Sequence, residues 1–129
     1  MTHLNRPPRP RILLVDDETD LRMMLGFMLT EEGYDVNHAA NGTDAVRLHR
    51  DNFFQLVIIE MMLSDKCGLE TLAELRRQPG PAHFIATAKP GRLEPETVLQ
   101  MARRLGAHST LAKPFLHEEM LETVKRALK

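Results

Sequence analysis

Apolar positions along the chain switch repeatedly between two periods. Ile12, Leu13, Leu14 and Val15 form an unbroken run after Arg11 that ends against acid. So short a continuous run suits a strand covered on both faces, as in a parallel sheet. From Glu18 to Glu32, Leu21, Met24, Leu25, Met28 and Leu29 recur at helical spacing as a core-facing stripe, and Gly33 is placed to end the helix. Asp35 to Ala39 predicts a short second strand, Asn41-Gly42 a turn, and Thr43 the cap of a helix reaching Arg50, with Ala45, Val46 and Leu48 for packing. Gln55 to Ile59 is the clearest buried strand, followed by a loop from Met61 to Cys67. A third helix from Gly68 turns Leu69, Leu72 and Leu75 inward until Pro79-Gly80-Pro81 stops it. Phe84 to Thr87 predicts strand four, and Pro95 opens a fourth helix that runs to Leu105 and ends at Gly106. Ser109 to Ala112 gives a weaker fifth strand. His117 to Leu128 gives a last helix with Met120, Leu121, Val124 and Leu128 on one face.

Five strands alternating with five helices imply an α/β fold: a parallel sheet with right-handed crossovers and helices on both faces. The 129 residues suit one domain. It is expected over residues 11–129, after a flexible arm, residues 1–10, that carries three prolines and two arginines. No output domain is expected after the last helix within these residues. The net charge is −1 and the basic residues are scattered, which argues against direct nucleic-acid or membrane contact. The chain has no apolar run of membrane-spanning length, its first residues lack the apolar stretch expected of a secretory signal, and its one cysteine, Cys67, excludes an internal disulfide. A cytoplasmic location is expected. The six histidines lack metal-ligand spacing, and neither a nucleophile elbow nor a phosphate-binding glycine loop is present. The expectation is therefore a binding or signalling module, not an enzyme.

In sheets of this kind, ligands sit beyond the carboxyl ends of the strands. Asp16, Asp17 and Glu18 follow strand one, Glu60 follows strand three, Thr87 ends strand four, and Lys113-Pro114 follows strand five. Singly, each would be a solvated loop residue, a cap or a turn. Together, acids, a hydroxyl and an amine converge on one edge from four strands. Clustered carboxylates need a cation or shifted proton affinity to coexist, and magnesium, with oxygen ligands and retained waters, suits the cluster. A cation beside a lysine and a hydroxyl makes a place for a phosphoryl group.

In chain order these segments resemble the receiver domain of bacterial response regulators, from residue 11 onward. The segments are Ile12-Leu13-Leu14-Val15-Asp16-Asp17-Glu18, then Leu56 to Asp65 with Gly68-Leu69-Glu70, then Thr87-Ala88, and finally Leu111-Ala112-Lys113-Pro114-Phe115. The resemblance implies a flavodoxin-like sheet ordered 2-1-3-4-5 and a role in two-component phosphorelay signal transduction. It implies that Asp16, Asp17 and the Met62 carbonyl hold magnesium, with the acceptor position, Glu60, in the same ligand set. It also implies that Thr87 and Lys113 contact the phosphoryl group and that Lys113-Pro114 is cis. The implied partners are a histidine kinase or phosphotransfer protein and a downstream output protein or domain. Helix four, strand five and helix five would form the signalling surface and a homodimer contact.

The departures from the family pattern are specific. Glu60 stands where the family keeps its phosphorylated aspartate, and its extra methylene moves the carboxylate by about 1.5 Å. In-line attack tolerates little misplacement, so phosphorylation at Glu60 should be slow or absent. The longer arm also carries charge toward the phosphoryl space, as a partial mimic of the phosphorylated state. A slow acceptor at Glu60, Asp16 or Asp17 is the competing expectation, and a small magnesium-dependent phosphohydrolase is the expectation of another class. Thr110 occupies the strand-five position where the family often has a switching aromatic. Ser64 replaces the proline usual in the loop after the acceptor, and the loop from Ala88 to Glu94 is longer than usual.

Overall fold

The computed structural model describes residues 9–129, so eight of the ten arm residues lie outside it. Its elements in chain order are β1 (Arg11–Val15), α1 (Thr19–Glu31), β2 (Asp35–Ala39), α2 (Gly42–Asp51), β3 (Leu56–Glu60), α3 (Gly68–Arg77), β4 (His83–Ala88), α4 (Pro95–Arg104), β5 (Ser109–Ala112) and α5 (His117–Ala127). The five strands form one parallel sheet in the order β2-β1-β3-β4-β5. This is the α/β architecture expected from the alternation.

The unbroken apolar runs have a direct structural cause. β1 and β3 lie inside the sheet, and successive side chains point to opposite faces, each covered by helices. Leu13, Val15, Val57, Ile59, Phe84 and Ala86 face one core with Ala45, Leu72, Leu75, Val98, Leu99 and Ala102 from α2, α3 and α4. Ile12, Leu14, Leu56, Ile58 and Ile85 face a second core with Leu25, Leu29, Met120 and Val124 from α1 and α5.

Several local expectations shift. Helical spacing puts Met24 on the buried stripe of α1, but it is 44% exposed, because Leu25 and Leu29 fill the sheet-facing arc and leave it on the flank. The N-cap of α2 is Asn41 rather than Thr43: the Asn41 side-chain oxygen accepts the Asp44 N–H at 2.8 Å. Thr43 instead lies in the first turn. β3 starts one residue later than expected, at Leu56, and includes Glu60. Gln55 just precedes it and accepts the Arg11 N–H through its side chain at 2.7 Å. At the end of α4, Gly106 adopts φ +111°, a left-handed conformation suited to glycine.

Candidate functional site

The register brings the chemistry together. Glu60 pairs directly with Thr87 across β3 and β4, and Val15 pairs with Ile59, so Asp16 and Glu60 lie at the same sheet edge. The following loop is held close: Gly68 N–H donates to the Met61 carbonyl at 3.0 Å, and a Cβ on Gly68 would collide with the Met61 backbone. Asp65, further along that loop, accepts from Gly42 N–H at 2.9 Å, Thr43 N–H at 3.2 Å and the Thr43 hydroxyl at 3.1 Å. Burial opposes this charge, but those bonds and one from Lys66 N–H hold the Asp65 carboxyl below its ordinary value.

Glu60 is fully buried. Its Oε1 lies 2.7 Å from Lys113 Nζ and accepts the Thr87 hydroxyl at 3.3 Å. Its Oε2 accepts Met62 N–H at 2.9 Å and Lys89 N–H at 3.3 Å. Four donors, one of them charged, thus offset the cost of removing this carboxylate from water. Lys113 is buried as well, and its ammonium also reaches Asp16 Oδ2 at 2.7 Å and Glu18 Oε2 at 3.3 Å. Desolvation pulls the Lys113 pKa down, but hydrogen bonds to Asp16 and Glu60, with their charges, hold it above the ordinary lysine value. Asp16 is oriented in turn by Glu18 N–H, which donates to its Oδ1 at 2.9 Å.

Asp17 is different. Its Oδ1 is buried and has no hydrogen-bond partner among the described residues; Lys89 Nζ is 3.7 Å away. An orphaned, buried carboxylate oxygen next to Asp16 after β1 is donor chemistry that fits a hard cation. Among the described residues, no three His, Cys, Asp or Glu side chains form a metal-binding group. Beside the acids a cleft of about 310 Å³ opens between Leu21 and Met24 of α1, Pro90, and Phe115 and His117.

Asp16, Asp17, Glu60, Thr87 and Lys113 therefore meet at one sheet edge, with the Met62 backbone beside them. Thr110 does not join them: it pairs with Ala86, and its hydroxyl accepts a hydrogen bond from the Arg103 guanidinium of α4. The sequence pattern assigns no role to Lys89 or Asp65. A lysine directly after Thr87-Ala88 was the available signal for Lys89; nothing local marked Asp65. The Lys113-Pro114 peptide is cis, as the resemblance implied.

The sequence model of the response regulator receiver domain matches residues 12–125. The chain belongs to that family. As a receiver it is a module of two-component signalling, a family whose members typically bind magnesium at the phosphorylation site and interact with kinases and output domains. It is 32% identical over 119 residues to the transcriptional regulatory protein CpxR homolog of Haemophilus influenzae, covering 92% of this receiver but 50% of that relative. The chain thus spans about half the length of that relative. The CheY-like receiver domain protein of Methanospirillum hungatei JF-1 has a similar structure, with a TM-score of 0.86 at 26% identity and 94% of each chain covered. The chemotaxis protein CheY4 of Vibrio cholerae gives a TM-score of 0.83 at 28% identity over 94% of this receiver and 100% of that chain. Among the described residues, no helix is long and apolar enough to cross a membrane.

Proposed function

We propose that this receiver signals largely without phosphorylation, with Glu60 acting as a partial stand-in for the phosphorylated acceptor. One observation carries the reading: Glu60 Oε1 lies against Lys113 Nζ at 2.7 Å and the Thr87 hydroxyl at 3.3 Å. Those are the two groups that the family resemblance assigns to the phosphoryl oxygens. A carboxylate has fewer acceptor oxygens and less charge than a phosphoryl group, so activation is partial. Asp16, Asp17 and the Met62 carbonyl would hold magnesium weakly. Glu60 already meets four donors on its two oxygens, against two for Asp16, so its share as a ligand is the smallest. Magnesium, when bound, would neutralise the carboxylates and the oxygens of an incoming phosphate.

Output would pass through α4, β5 and α5 to a downstream protein or domain, or to a second copy of the chain. A histidine kinase or phosphotransfer protein would be the upstream partner. Thr110, tied to Arg103, takes the place of the family's aromatic switch. The test is to incubate the protein with a small-molecule phosphodonor and magnesium, then measure intact mass beside an ordinary receiver. The ordinary receiver gains one phosphoryl group while this one stays unlabelled. Labelling at a comparable rate would establish a competent acceptor and end the proposal.

A further inference from the structure

We propose that the Lys89 ammonium is a built-in cation of this site, with whose charge magnesium must compete for Asp17. The inference rests on the metal reading above and adds the residue that regulates it.

Four carboxylates, from Asp16, Asp17, Glu18 and Glu60, face two ammonium groups, from Lys113 and Lys89. Lys113 is committed to Asp16, Glu60 and Glu18. The charge on Asp17 is left to Lys89, whose Nζ lies 3.7 Å from its Oδ1 and 3.8 Å from Glu18 Oε1. These distances suit Coulomb attraction but are too long for hydrogen bonds. The Asp17 oxygen is buried and has no hydrogen-bond partner among the described residues. Lys89 therefore balances the charge of this oxygen without occupying its lone pairs, the part of the ligand a divalent metal would use.

Two features make the ammonium displaceable. Its backbone is fixed, because Lys89 N–H donates to Glu60 Oε2 at 3.3 Å, so the side chain starts next to the acids. The side chain is 34% exposed on a flexible four-carbon stem and can turn outward to water. Lys113, at 7% exposure and with three short contacts, has no such freedom. The two lysines thus divide the work: one holds Glu60 and Asp16, and the other guards Asp17.

The test is magnesium titration, by calorimetry and by amide chemical shifts at Asp17 and Met62, on the wild type, Lys89→Ala and Lys89→Arg at fixed ionic strength. Removing a cation about 4 Å from the ligand oxygen at a partly exposed site should tighten magnesium binding roughly tenfold. Lys89→Arg keeps the charge and should stay near wild type, which separates loss of charge from disturbance of the loop. Equal affinity in all three proteins overturns the role of Lys89 and leaves the metal reading standing. No response to magnesium in any of them overturns both.

Discussion

Glu60→Asp is the most informative single change, because it acts on stability and chemistry in opposite directions. Removing one methylene retracts the carboxylate by about 1.5 Å. The hydrogen bonds from Thr87 and from Lys89 N–H are both already 3.3 Å long, so they pass out of range first. Each is worth about 1 kcal/mol net, and the lost buried methylene adds a similar amount. The expected destabilisation is about 2–4 kcal/mol. With a urea slope of about 2 kcal/mol per molar, the unfolding midpoint should fall by roughly 1–2 M. Chemistry should move the other way. Asp16, Asp17, Thr87 and Lys113 are all in place, so the shortened acceptor should gain one phosphoryl group from a small-molecule donor in magnesium. Resting association with an output partner should fall, because the stand-in is gone. The assays are urea denaturation, intact mass and partner binding on the same two proteins. An unchanged midpoint together with no phosphoryl uptake would refute both the account of the Glu60 network and the claim that the pocket is otherwise intact.

Lys113→Met should cost about 3–5 kcal/mol, because it strands two buried carboxylates without their cation; a thermal melt reads this directly. Since the folded-state pKa of Lys113 is raised, its stabilising contribution is fully present below the ordinary lysine value. It is lost as pH rises through the higher folded value, so melts of the wild type should show an alkaline decline that Lys113→Met lacks. Asp65→Ala should destabilise by about 1 kcal/mol by leaving the first amides of α2 without their acceptor. Because the Asp65 pKa is lowered, the difference from wild type should be present above the ordinary carboxyl value and vanish as pH falls through the folded one. Charge reversal at Arg103, Arg104 and Lys125 should weaken association with an output partner or a second copy, as read by sedimentation. Intact binding there, with loss on changing α2, would move the surface elsewhere.

Strands β1 and β3 were legible in the sequence because burial on both faces leaves no polar positions to confuse their pattern. The site was legible for a topological reason: in a parallel sheet every strand's carboxyl end lies on one edge, so residues far apart in sequence could be placed together without coordinates. Failures occurred where two local solutions compete or a long-range contact decides. Asn41 and Thr43 are both good capping residues two positions apart, and the choice depends on where Asp65 takes up the first amides of α2. Met24 obeys helical spacing but sits at the rim of the stripe, where the width of the sheet-facing groove decides burial. Lys89 escaped assignment because the direction of a loop lysine's amine follows from its backbone anchor, and that anchor is a hydrogen bond to Glu60.

The two cores on opposite faces of the sheet have a consequence for how this receiver can be tuned. α4 rests on the same apolar layer as α2 and α3, whereas α5 shares its layer with α1. The proposed output surface therefore straddles two separately packed compartments on opposite faces of the sheet, with β5 between its two helices. That strand lies at the sheet margin, and none of its four residues is fully buried. A substitution that tightens one compartment need not be felt in the other, so the helices on either side of the seam can drift independently over generations. The seam itself, where Arg103 of α4 holds Thr110 of β5, is where selection on one partner would have to be reconciled with selection on the next.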